Sequence, residues 1–110
     1  MRAKMTSVLV LMSAIAATSA SGPVAAQSFN CNYAKLPDEV LICQNPYLGD
    51  LDEQMSALYF TVRNRLHGAA RTQLKRDQTA WLKGRKTCGY DAACVENSYL
   101  QRIYQLNNYY

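Results

Sequence analysis

Six apolar residues, Leu48, Leu51, Met55, Leu58, Val62 and Leu66, recur in steps of three and four. A strand points alternate side chains to opposite faces, so it cannot gather such a series. A helix of about 3.6 residues per turn puts all of it on one stripe. Tyr59 and Phe60 widen that stripe, which runs for about five turns. Its start is punctuated by Asn45-Pro46: Asn45 suits an N-cap and Pro46 the first helical position. Asp50, Asp52 and Glu53 crowd the opening turns, where a helix dipole favours acids.

The stripe ends at His67-Gly68. Gly68 reads as a left-handed C-cap, with Arg63, Arg65 and His67 at the negative end of the dipole. A second helix is expected from Ala69 or Ala70 to about Thr87. From Leu74 onward it holds the only tryptophan and five of the twelve basic residues. Leu74, Gln78, Trp81, Leu82 and Arg85 fall on one side of it, with Lys75, Arg76, Lys83 and Lys86 mostly outside. So short a break allows either an antiparallel hairpin or a kinked continuous rod. Periodicity does not choose.

The remaining elements are shorter. Leu36 to Cys43 reads as a short helix with Pro37 at its first position, Asp38 and Glu39 on the dipole, and Val40, Leu41 and Cys43 inward. Cys88 to Cys94 is a tight loop turned by Gly89, with Asp91 capping the next helix. Val95, Tyr99, Leu100, Ile103 and Leu106 form the last stripe, and residues 107–110 are expected to fray. The expected fold is all-α, a small bundle or hairpin of one short and three longer helices.

Residues 1–26 are expected to be a cleaved signal peptide. Arg2 and Lys4 precede the short apolar run Val8 to Ala17, and Val24-Ala25-Ala26 offers a small-x-small cleavage site. The run is too short to span about 30 Å of hydrocarbon comfortably. Ser28-Phe29-Asn30 before Cys31 is unlike a lipoprotein signal, so the exported part is expected to be soluble and not lipid-anchored. Removing Arg2 and Lys4 takes Lys plus Arg from 12 to 10 against 8 acids, and net charge from +4 to +2. That mild balance over 84 residues gives no case for a nucleic-acid partner.

A chain this short buries a modest core and usually needs staples. All four cysteines lie in the exported part, as suits an oxidising compartment. Three pairings are possible. Local pairing, Cys31–Cys43 and Cys88–Cys94, closes loops worth about 3 and about 2.5 kcal/mol, whereas Cys43–Cys88 would close one worth about 4 kcal/mol. Loop length leaves the choice open. Local pairing is favoured because each pair brackets one helix start or turn. The spacings are not those of a zinc site, and no metal or other cofactor is expected.

Several short segments stand out together: Phe29-Asn30-Cys31, Glu39 to Cys43, Asn45-Pro46-Tyr47-Leu48, Leu51-Asp52, Tyr59, Gln78-Thr79-Ala80-Trp81-Leu82, Arg85, Cys88, Cys94 and the Tyr99/Arg102-Ile103 end. With these, residues 28–106 resemble the LprI-type lysozyme inhibitor domain, a small exported bacterial family mostly without assigned function. The resemblance implies a helical, disulfide-stapled envelope protein, with Pro46, Leu51, Asp52, Tyr59, Gln78, Trp81 and Arg85 as structural motif residues. It also implies, in at least one branch, inhibition of lysozyme. That name-giving branch is a lipoprotein with further sequence, whereas this chain is expected to have neither a lipid-attachment motif nor a second domain.

Chemistry-bearing residues are sparse. His67 is the only histidine, so no Ser-His-Asp or Cys-His constellation stands out and no enzyme is expected. His67, or an Arg or Lys, could enter a lysozyme cleft between its two carboxylates, but a solvent-facing histidine at a helix end is the plainer expectation. Asp50, Asp52 and Glu53 are read as helix-start acids, with Asp52 also a candidate to pair Arg85 across the long helices. Gln78 is expected to lock helix register. The exposed tyrosines are expected to be Tyr33, Tyr90, Tyr109 and Tyr110, with Tyr59, Tyr99 and Tyr104 at the core edge. The basic face Lys75, Arg76, Lys83, Arg85 and Lys86 is expected to be solvated. Partner-contact candidates are Arg63, His67, Tyr90, Tyr109 and Tyr110. The expected function is a periplasmic or secreted muramidase inhibitor. The alternative is a non-inhibitory envelope module that binds wall glycan or another exported protein.

Overall fold

The computed structural model describes residues 28–109, so the expectations for the signal segment and for Tyr110 lie outside the described residues. A 3-10 turn at Cys31–Tyr33 precedes α1 (Pro37–Gln44), α2 (Pro46–Arg65), α3 (Gly68–Lys86) and α4 (Ala92–Asn107). There is no strand among the described residues. Asn45 caps α2 as expected, its Oδ1 accepting from the amides of Tyr47 (3.0 Å) and Leu48 (3.2 Å). Asp91 caps α4 through the amide of Cys94, at 3.1 Å.

The break between the long helices makes an antiparallel hairpin. Arg71 donates to the carbonyl of Arg63, Gln78 reaches Met55, and Arg85 reaches Asp52, so residue numbers rise along α3 as they fall along α2. Leu66 and His67 are extended, with φ of −100° and −138°. Gly68 does adopt φ +56°, but it opens α3 and does not cap α2. Two extended residues reverse the chain before the glycine is needed.

After the Cys88–Cys94 loop, which Gly89 turns at φ +60°, α4 runs antiparallel to α3 and parallel to α2. Tyr47 meets Glu96, Asp52 meets Tyr99 and Arg65 meets Tyr109 in the same order along both chains. The core forms where α4 lies along α2. Leu48, Leu51, Met55 and Val62 of α2 meet Val95, Tyr99 and Leu106 of α4, with Ile42 and Leu74 closing the ends. Apolar burial of this kind stabilises by about 1.5–3 kcal/mol per large side chain.

Some stripe positions turn out differently. Phe60, Leu100 and Tyr104 are exposed, because three helices leave the far edge of each stripe uncovered. In α1 the fully buried apolar residue is Ile42, with Val40, Leu41 and Cys43 half-buried. Both disulfides are local, Cys31–Cys43 with Cα atoms 5.8 Å apart and Cys88–Cys94 at 5.5 Å. The first ties the lead-in to α1; the second clamps the α3–α4 turn.

Candidate functional site

Among the described residues four charged side chains are buried: Asp38, Asp52, Arg85 and Arg102. Three of them form one network at the end where α1 meets α2 and α3. Arg85 donates from Nε to Asp38 Oδ2 at 2.9 Å and from Nη1 to the Tyr99 hydroxyl at 2.9 Å. Tyr99 in turn donates to Asp52 Oδ1 at 2.8 Å. Ser28 closes the far side, with its amide and its hydroxyl both on the Asp52 carboxylate. The guanidinium also lies 5.6 Å from the Phe29 and Trp81 ring centres and 5.8 Å from that of Tyr99. Four helices and the lead-in converge on one cation.

The expected Asp52–Arg85 pair is present, and Asp38 joins it. Asp52 and Arg85 approach to 4.0 Å, with Tyr99 relaying between them, and the closer ion partner is Asp38. Asp38 is 1% exposed, so it is not merely a dipole acid, and Arg85 at 3% does not belong to a solvated basic face. Lys75, Arg76, Lys83 and Lys86 are exposed, and so are Asp50 and Glu53. Burial disfavours the charge on Arg85, but Tyr99 and Asp38 outweigh it and hold the guanidinium above its ordinary pKa. Burial, reinforced by Asp52, pushes the Tyr99 phenol far above its ordinary value despite the pull of Arg85.

A second polar chain crosses α3. Gln78 donates to Met55 Sδ at 3.2 Å and accepts from Arg102 Nε at 2.9 Å, joining α2, α3 and α4 as a register lock should. Trp81 stacks edge-on against Tyr99 with ring centres 5.2 Å apart, and its indole donates to the Ser98 carbonyl at 3.0 Å.

Most residues of the sequence motif therefore meet in these two networks. A family model described as Lysozyme inhibitor LprI matches residues 31–106. The chain belongs to the LprI family. Searches of curated proteins and of solved structures return no match.

In this LprI chain the motif residues build the scaffold. Pro46 opens α2, Leu51 is core, and Asp52, Gln78, Trp81 and Arg85 hold the helices together. Tyr59 is half-buried beside a groove between α2 and α3, with Phe29, Met55, Gln78 and Leu82 on its other walls. The partner-contact candidates do not form one patch. Arg63, His67 and Tyr109 share the α2–α3 corner end with Arg65, whose Nη2 donates to the Tyr109 carbonyl. Tyr90 is exposed at the opposite end, in the α3–α4 turn. Tyr109 is half-buried and less free than expected, with its hydroxyl 3.5 Å from Asp77. Burial and Asp77 raise its pKa. Tyr33 is exposed, whereas Tyr99 is fully buried.

Asp38 and Arg102 were not picked out by their residue type and spacing. Asp38 sits where any helix start welcomes an acid, which masked its buried role. Arg102 falls on the Val95–Tyr99–Leu106 stripe in steps of four, three and four, and that spacing was the available signal. Among the described residues no group of three or more His, Cys, Asp or Glu is placed to hold a metal ion. No described helix is long and apolar enough to cross a membrane.

Proposed function

We propose that the protein is an exported inhibitor of a lysozyme-type muramidase, and that it blocks the enzyme with its α2–α3 corner. Family membership supports the inhibitor class, and the disulfides suit an exported protein. The observation that carries the corner is its chemistry. Arg63, Arg65 and His67 fall within five positions at the turn where α2 reverses into α3, and His67 is exposed on extended backbone. Arg71 pins the Arg63 carbonyl at 3.1 Å and Arg65 is tied to Tyr109, so the corner is held in shape before any partner arrives.

A glycosidase cleft carries two carboxylates, which a preorganised cation pairs with favourably. The mild charge expected of the exported part gives no long-range steering toward a basic enzyme, so affinity rests on local fit. The reading involves no catalytic step.

The test is muramidase activity of c-type, g-type and i-type lysozymes on cell walls, with the oxidised protein in molar excess. Dose-dependent loss with one class is expected. Arg63→Ala combined with His67→Ala should weaken that inhibition by about tenfold or more, the value of one or two charge-assisted hydrogen bonds. Full activity with all three classes would sink the reading for these targets.

A further inference from the structure

The buried cation that the scaffold leaves unpaired is Arg102. It is 4% exposed, yet among the described residues no carboxylate lies within 4.0 Å of it; the ion pairs found all involve Arg85. Its hydrogen bonds go to neutral amides, from Nε to Gln78 Oε1 at 2.9 Å and from Nη1 to Gln105 Oε1 at 3.1 Å. The remaining nitrogen, Nη2, is buried and has no partner. A buried guanidinium normally has its charge met and its donors filled, because leaving either unmet is costly. Burial accordingly lowers its pKa, and Asp77, Tyr109 and Tyr59 offset this only in part.

Arg102 borders a shallow, open cleft of about 770 Å³ between α3 and α4. Trp81 gives the cleft an aromatic edge, Gln105 and Asn108 bring amides, and Asp77 and Tyr109 stand on its walls. Asp77 already accepts from Gln73 at 2.8 Å, so its carboxylate is held in place. One cation and one fixed acid in the same cleft disfavour a polyanion. They suit a ligand with a single carboxylate for Arg102 and hydroxyl donors for Asp77 and the amides.

We infer that the α3–α4 cleft over Arg102 binds a saccharide carrying one carboxylate. This is a second site, apart from the α2–α3 corner, and it does not depend on the protein inhibiting any enzyme.

The experiment is a titration of the oxidised protein, recovered by export of the full chain, followed by Trp81 fluorescence and by the Arg102 Nε–H resonance. N-acetylmuramic acid is the main ligand; N-acetylglucosamine, the methyl ester of N-acetylmuramic acid, and acetate are the comparisons. Saturable binding of the acid sugar is expected to shift both signals. The ester and N-acetylglucosamine should bind about tenfold more weakly or worse, as losing a charged hydrogen-bond partner implies. Equal binding of the acid and its ester, or no saturable shift, would overturn the inference. Acetate binding as tightly as the sugar would also overturn it, by reducing the site to a free-carboxylate pocket. Arg102→Gln should abolish the difference between acid and ester; should that variant not fold, the four ligands on the unmodified protein decide alone.

Discussion

Replacing Arg85 by Met tests the arrangement of the buried network. Arg85 Nε is the hydrogen-bond partner of Asp38, whose other oxygen, Oδ1, has none. Asp52, by contrast, keeps Tyr99 and both Ser28 donors when the guanidinium is gone. The damage should therefore fall on Asp38. Breaking a buried ion pair from one side costs about 3–5 kcal/mol, against a total of about 4–12 kcal/mol for a domain of this size. Asp38→Leu alone should cost about as much, because it orphans part of Arg85. The double variant should cost less than the two singles together by about 3 kcal/mol, since neither charge is then left stranded. The same cycle with Asp52 should give a coupling smaller by about 1–2 kcal/mol, because its distance to Arg85 is 4.0 Å against 2.9 Å for Asp38. The assay is urea unfolding of the oxidised proteins followed by Trp81 fluorescence. With a slope of about 1 kcal/mol/M, a coupling of this size moves the midpoint by about 3 M. Additive single effects for Arg85 and Asp38, or a larger coupling to Asp52 than to Asp38, would refute the reasoning.

Tyr99→Phe keeps the ring against Trp81 but removes the hydroxyl between Arg85 and Asp52, and should cost about 2–3 kcal/mol at neutral pH. Because burial raises the Tyr99 pKa above the unfolded value of about 10, its contribution is intact below that pH and is lost as pH rises past it. Unfolding free energies from pH 8 to 11 should fall steeply in the native protein and less steeply in the variant. Gly68→Ala places a side chain at φ +56° in open space, so backbone strain of about 1 kcal/mol should appear as a drop of several degrees in Tm. Replacing Cys88 and Cys94 by Ala should cost about 2.5 kcal/mol by denaturant titration, slightly less than removing the larger Cys31–Cys43 loop.

Helix number, helix type and both local disulfides were legible because each rests on a local cue: the three-and-four spacing from Leu48 to Leu66, Asn45-Pro46, Asp91, and cysteines bracketing single turns. The direction of the hairpin was not legible. Gly68 was recognised as a left-handed position, but the reversal is made by extended Leu66 and His67, whose residue types do not demand it. Burial of the polar residues was harder still. Asp38 and Asp52 look alike in sequence to Asp50 and Glu53, each being an acid near a helix start. Only the return of α3 and α4 over that end decides which acids meet Arg85 and which meet water.

The motif shared with the LprI family therefore speaks first to folding. Asp52, Gln78, Trp81 and Arg85 spend their polar groups on Tyr99, Ser98, Met55 and Arg102, and Asp52 and Arg85 are buried outright. Function on such a scaffold has to come from residues outside the networks or left incomplete by them. The exposed His67 corner is the first kind and the unfilled Nη2 of Arg102 is the second. Both border the end of the bundle where Arg65 meets Tyr109, away from the two disulfides, and the Trp81 edge of the cleft joins it to the Arg85 cluster. The two disulfides can thus fix one end of the helices, while the opposite end carries the groups left for binding.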